Sequence, residues 1–122
     1  MDEPPSKRPL IGVVGPCGSG KSTLIERLER HGYACRHIAQ EHSYVQAMWQ
    51  IISKPDLLLY LHSSFDVSTL RGKLDWLEQD YREQLRRLAH AHQHAHLIID
   101  TDARTPDQVL QIALDFLKKH AA

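Results

Sequence analysis

The chain has no asparagine among its 122 residues. That absence removes the Asn-Lys-x-Asp segment with which GTPases read guanine, and the catalytic-loop asparagine of protein kinases. Cysteine is scarce: Cys17 and Cys35 cannot build a disulfide framework, which fits a reducing, cytoplasmic setting. Long hydrophobic runs are missing too. The longest, Leu57–Leu61, is one strand's worth and far short of a membrane span, and the first residues have no apolar stretch of the secretory kind. Charge of one sign is also lacking, since 15 Lys and Arg balance 15 Asp and Glu. No whole-molecule field therefore attracts nucleic acid or an anionic membrane, and neither is expected as a partner. Any affinity for anions must come from a local arrangement.

A chain of this length holds one core. Met1–Pro9 carries three prolines among charged residues and reads as a disordered leader, leaving 10–122 as a single domain. Leu10–Val14 is a short apolar run rich in β-branched residues that ends in glycine, the pattern of a buried strand. Lys21–His31 reads as a helix with Leu24, Ile25 and Leu28 on one face and Gly32 as its stop. Tyr33–Ala39 is a weaker strand, interrupted by Arg36 and His37. A second helix is expected from near Ser43, with Val45, Met48, Trp49 and Ile52 as its buried stripe and Pro55 barring continuation. Leu57–Leu61 reads as a strand covered on both faces.

Ser63–Lys73 is polar and is expected to be mobile. Asp75 with Glu78 offers a cap for a long helix through about His94, with Leu77, Tyr81, Leu85 and Leu88 inward. Leu97–Ile99 is the last strand. Thr105, Pro106 and Gln108 make a capping box with proline at the first helical position, and Val109, Ile112, Ala113, Phe116 and Leu117 give the final helix its core face. The order βαβαβαβα predicts a three-layer α/β/α fold on a short parallel sheet of about four strands. Ligands of such sheets bind beyond the carboxyl ends of the strands.

At that edge lies Gly15-Pro16-Cys17-Gly18-Ser19-Gly20-Lys21-Ser22, followed by Thr23. The spacing G-x-x-x-x-G-K-[ST], between a strand and a helix, is that of a P-loop. Glycines let successive backbone N–H groups turn inward to cradle phosphate oxygens, and the positive end of the following helix points to the same place. Lys21 supplies a cation for the β- and γ-phosphates. The Ser22 hydroxyl can complete a Mg²⁺ shell.

The loop Gly15–Thr23, the stretch Leu97–Val109 and the segment Pro55–Leu61 together resemble the small P-loop kinases of the shikimate-kinase and nucleotide-kinase type. The resemblance implies ATP and Mg²⁺ as cofactors and the P-loop NTPase fold. It also implies a lid over 63–87 and contacts from Asp102, Ala103, Arg104 and Thr105 beside the adenine. Kinases of this kind use lid arginines to neutralise the transferring phosphoryl group. Arg71, Lys73, Arg82 and Arg86 are the candidates, Arg71 first because it sits beside Gly72.

The interval Tyr33–Pro55 departs from that pattern. It holds one weak strand and one helix, and no apolar strand in it ends in a Walker B aspartate. Glu41 is the best substitute: it follows the second strand, where it could hold a metal-bound water or act as general base toward an acceptor. His42 is its neighbour and could titrate near neutral pH. Asp100, ending Leu97–Ile99, is a rival for the Walker B role. Lys21, Glu41 and Arg71 are thus the candidate catalytic residues, with Ser22 and Glu41 as candidate metal ligands. His90, His92, His94 and His96 have helical spacings usable by a metal but no Cys or carboxylate in the run to complete a site. Trp49 and Trp76 read as packing, and Arg82, Arg86 and Arg87 lack the aromatic interleaving of a nucleic-acid surface. Cys17 reads as a small loop filler, with redox sensing as the other possibility. Two functions remain: a small-molecule phosphotransferase using Mg-ATP, and a nucleotide-binding or slowly hydrolysing module that acts through a protein partner.

Overall fold

A computed structural model describes residues 8–120; most of the leader expected over Met1–Pro9 lies outside the described residues. Four parallel strands form one sheet: β1 (Leu10–Val14), β2 (Ala34–His37), β3 (Leu57–His62) and β4 (Leu97–Asp100), in the order β2-β1-β3-β4. The interior strands β1 and β3 pair through Ile11↔Leu57 to Val14↔Tyr60. Their near-continuous apolar sequence follows from cover on both faces. β2 is an edge strand, and the exposed Arg36 and His37 end it short of the expected Ala39.

Helix α1 (Lys21–Arg30) leads from β1 to β2, and the chain then returns past β1 to β3. Right-handed crossovers running in opposite directions lie on opposite faces of a sheet. One face accordingly carries α1 and α5 (Pro106–His120), packed through Leu24, Leu28, Val109, Ala113, Leu114 and Leu117 against Ile11, Val13, Leu59, Leu61 and Ile99. The capping box of α5 forms as its sequence predicts: Gln108 N–H donates to Thr105 Oγ1 at 3.2 Å, and Thr105 N–H donates to Gln108 Oε1 at 2.9 Å. The fold is α/β with a four-stranded parallel sheet, consistent with the P-loop NTPase class.

The other face departs from expectation in three places. The helix expected from Ser43 is replaced by a 3₁₀ turn (Gln40–His42) and a π-type turn (Trp49–Ser53). Gln40 causes this. Its buried amide accepts from Trp49 N–H at 2.9 Å and donates to the Val45 carbonyl at 2.8 Å and the Arg87 carbonyl at 3.2 Å, taking backbone groups a helix would have paired. Of the expected stripe only Trp49 is buried, while Val45 and Ile52 are exposed.

The segment expected to be mobile instead contains helix α2 (Phe65–Gly72), capped by Ser64 Oγ, which accepts from Val67 N–H at 3.3 Å. Phe65 anchors it in an aromatic group with Trp76 and Tyr81. The long helix is two, α3 (Glu78–Arg87) and α4 (Ala89–His94), joined at the buried Leu88. Its cap is Asp80, which accepts from Leu77 N–H at 2.9 Å, not the expected Asp75 with Glu78. No helix among the described residues is long and apolar enough to cross a membrane.

Candidate functional site

The turns leaving the carboxyl ends of all four strands meet at one edge of the sheet: Gly15–Gly20 after β1, Gln40–His42 after β2, Ser63 and α2 after β3, and Thr101–Arg104 after β4. β1 has neighbours on both sides and the chain doubles back across it, the kind of switch point where such sheets hold ligands. Two loop glycines are required by their surroundings. A Cβ at Gly15 would collide with the Leu61 carbonyl, and one at Gly18, where φ is +81°, with the Ser68 carbonyl of α2. Among the described residues, the N–H groups of Gly18, Gly20, Lys21, Ser22 and Thr23 have no protein acceptor, and Ser19 Oγ is buried without a partner. Unpaired N–H groups gathered by a glycine loop at a helix start are a receptor for an anion.

Lys21 lies folded into the loop. Its ammonium donates to the carbonyls of Gly15 at 2.7 Å and Pro16 at 3.1 Å and is ion-paired with Glu41 Oε2 at 3.0 Å. These three contacts use all of its protons. Both side chains are nearly inaccessible, at 6% and 4% exposure, so the pair is shielded from screening by salt. The expected emergence of Glu41 beside the loop is therefore what the structure contains, and the carboxylate is engaged. Its other oxygen, Oε1, is buried with no partner.

Cys17 is held by Gln84 of α3: Cys17 N–H donates to Gln84 Oε1 at 3.0 Å, and Gln84 Nε2 donates to Cys17 Sγ at 3.1 Å. His42 Nε2 lies 3.6 Å from the same sulfur and 3.8 Å from Glu41 Oε2. Nearby on β2, His37 is pushed below its ordinary pKa of 6.5, first by burial and then by the Lys21 charge. Burial raises the Cys35 thiol to about 11.

On the other side of the loop a cavity of about 390 Å³ is lined by Gly18, Ser19, Gly20, Thr23, Leu24, Arg71, Thr101, Arg104, Pro106 and Val109. That volume falls in the range of small-molecule sites. Arg71 is not in an irregular stretch but in the last turn of α2, where it donates to Thr101 Oγ1 at 2.8 Å and to the Thr101 carbonyl at 2.5 Å. Arg104 lines the same cavity. Asp102 instead accepts from Ser64 N–H at 2.9 Å, and neither it nor the exposed Ala103 lines the cavity. Arg82 pairs with Glu78 at 2.8 Å and Arg86 with Glu83, so both are helix-face charges. Asp100 accepts from Asp102 N–H at 3.0 Å, which ties it to its own turn.

Residues 11–122 match the family model described as an AAA domain (AAA_18). The chain belongs to that family. No curated protein matches its sequence. Nucleotide binding at the P-loop is the property this membership carries, and the free N–H row of the domain is its physical counterpart. The exposed Ser22 hydroxyl makes no hydrogen bond among the described residues. A free hydroxyl beside a polyanion is the oxygen donor set that Mg²⁺ takes, with waters completing its shell, so these residues fit an ion carried in by a triphosphate.

Sequence reasoning missed Gln40, Gln84 and Thr101. The two glutamines look like surface residues until their backbone partners are known. Thr101 was visible only as part of an Asp-Thr pair, yet its hydroxyl touches Arg71, the His62 carbonyl at 2.9 Å and the Ser19 carbonyl at 3.4 Å.

Proposed function

We propose that the domain binds Mg-ATP, with the nucleoside in the 390 Å³ cavity and the phosphates on the loop, and transfers the γ-phosphate to a small hydroxyl or phosphate acceptor. The unpaired N–H groups of Gly18, Gly20, Lys21, Ser22 and Thr23, opening beside that cavity, carry the reading. The missing asparagine disfavours the usual guanine reader. Of the residues that the likeness to shikimate and nucleotide kinases would put beside the adenine, Arg104 lines the cavity, which supports the nucleoside being held there.

In this reading the triphosphate draws Lys21 from Glu41, exchanging one anion for another at the ammonium. Arg71, already facing the cavity, neutralises charge on the transferring group. Glu41, once free of Lys21, serves the acceptor as a base or holds a metal-bound water. Mg²⁺ on the Ser22 hydroxyl, when bound, neutralises phosphate charge.

One observation favours a second reading, a nucleotide-binding or slowly hydrolysing module that signals to a protein partner. Between β2 and β3 there are only short turns where an acceptor-binding segment would be expected. Incubation with γ-labelled Mg-ATP and a pool of hydroxyl and phosphate acceptors separates the two. Label on an organic acceptor supports the transferase; label found only as inorganic phosphate, or left on ATP despite binding, supports the module. Absence of triphosphate binding by calorimetry removes both.

A further inference from the structure

Three side chains of different chemistry converge outside the nucleoside cavity. The sulfur of Cys17, a ring nitrogen of His42 and a carboxylate oxygen of Glu41 all lie within 4.8 Å of one another. They come from separate turns: Cys17 from the loop after β1, Glu41 and His42 from the 3₁₀ turn after β2. Phosphate binding uses none of the sulfur or imidazole chemistry.

Hydrogen bonding alone accounts poorly for the group. In a nucleophile–base–carboxylate relay the carboxylate holds the far nitrogen of the imidazole while the near one faces the nucleophile. Here Cys17 Sγ, at 3.6 Å, and Glu41 Oε2, at 3.8 Å, both approach the same nitrogen, Nε2. A sulfur, a ring nitrogen and a carboxylate oxygen thus surround one point without forming such a relay. Glu41 adds an independent sign, because the residue is 3% exposed and its Oε1 has no partner.

We propose that Cys17 Sγ, His42 Nε2 and the Glu41 carboxylate form a site for one thiophilic divalent ion of the zinc class, distinct from the Mg²⁺ of the triphosphate. An ion placed centrally among atoms this close lies within about 2.8 Å of each, so shifts of about 0.5–0.8 Å at most reach zinc–ligand lengths. A thiolate with an imidazole selects against Mg²⁺ and Ca²⁺, which take oxygen donors. As the sulfur–metal bond forms, the Cys17 thiol releases its proton to solvent, and the carboxylate exchanges Lys21 for the ion. Three protein donors leave a fourth position for water. Gln84 supplies the outer support: its Nε2, 3.1 Å from Cys17 Sγ, stabilises a thiolate. The His42 side chain, 60% exposed, gives an entry path.

Cobalt(II) tests this as a spectroscopic stand-in on the full nucleotide-free chain, with zinc as competitor. The expected result is one cobalt per chain with thiolate-to-cobalt charge-transfer absorption and tetrahedral visible bands, about one proton released per ion, and displacement by zinc. Cys17→Ser abolishes the charge-transfer band, His42→Ala weakens binding on the order of 100-fold, and Gln84→Leu weakens it roughly 10-fold. The chain has nine histidines, so a His90→Ala/His94→Ala variant serves as control and keeps the band. The proposal is overturned if the native chain shows no sulfur-to-cobalt band, if the band survives Cys17→Ser, or if it depends on His90 and His94. Should Cys17→Ser misfold by circular dichroism, the exposed His42 ring provides the decisive variant. No nucleotide is present, so a chain that binds cobalt through sulfur but ignores ATP sinks the proposed function and leaves this site standing.

Discussion

On one face of the sheet, α1 and α5 close over a continuous aliphatic layer in which Leu28, Ala113 and Leu117 are fully buried. On the other, a run of short turns between Ala39 and Lys54 meets the same strands with a smaller apolar group, Val14, Ile38, Trp49, Leu58, Tyr60, Leu88 and Ala91. The second face is held in large part by buried polar side chains, among them Gln40, Glu41 and Gln84. Helical regularity gives the first face its stability. Giving up that regularity frees the second to bring a carboxylate and an imidazole to the phosphate loop. The region with the poorer packing thus bears more of the chemistry, as expected where polar groups must be buried with individually matched partners.

The largest effect that sharpens this contrast is a truncation on each face. Leu28→Ala should cost about 2–5 kcal/mol in urea unfolding, because it opens a cavity in a layer with no freedom to collapse. Ile52→Ala, 69% exposed on the irregular face, should stay within about 0.5 kcal/mol. Equal losses would mean that both faces are packed alike.

A second pair of variants concerns the site. Lys21→Ala should weaken triphosphate binding roughly 10- to 150-fold by calorimetry, the worth of charge-assisted hydrogen bonds. Glu41→Gln should do the reverse, tightening binding on the order of tenfold by releasing the ammonium from its resting partner, while abolishing any phosphoryl transfer. Weaker binding in Glu41→Gln would show that the carboxylate positions Lys21 and does not compete for it.

Smaller still, Thr105→Ala should lower stability by about 1 kcal/mol, a shift of a few degrees in Tm, through loss of half the capping box of α5. The smallest effect is one of pH. The His37 pKa is lowered from 6.5 in the folded chain, so below 6.5 the unfolded chain binds the proton more readily. Stability should therefore be constant above that pH and decline as pH falls through 6.5 toward the lowered value. His37→Gln should flatten that limb of the pH–stability curve. A ring so largely exposed makes the slope shallow.

The difference between the faces also explains what could be read from the chain beforehand. β1, β3, α1 and α5 follow from apolar periodicity and from caps a few residues away, and so does the P-loop, whose chemistry is nearly all backbone. Glu41 could be placed at the loop because strand ends converge at one edge in any parallel sheet. The rest depended on contacts far apart in sequence. Gln40, which takes the Val45 and Trp49 backbone groups, is held in place by Arg87, 47 residues on, and Arg71 is fixed by Thr101, 30 residues on. The composition of Ser63–Lys73 is polar and suggests mobility; Phe65–Gly72 is helical because Ser64 caps it and Phe65 finds Trp76 and Tyr81. Local patterns do not record such partners.

Gly18 touches the carbonyl of Ser68, so helix α2 rests directly on the phosphate loop with no side chain as spacer. The missing methyl works like the clearance of a closed door. Filling it would prop α2 ajar, carrying Arg71 away from Thr101 and parting the two walls of the cavity beside the loop in one movement. Opening at the loop and opening at the cavity are then a single mechanical event, set by the width of one hydrogen atom.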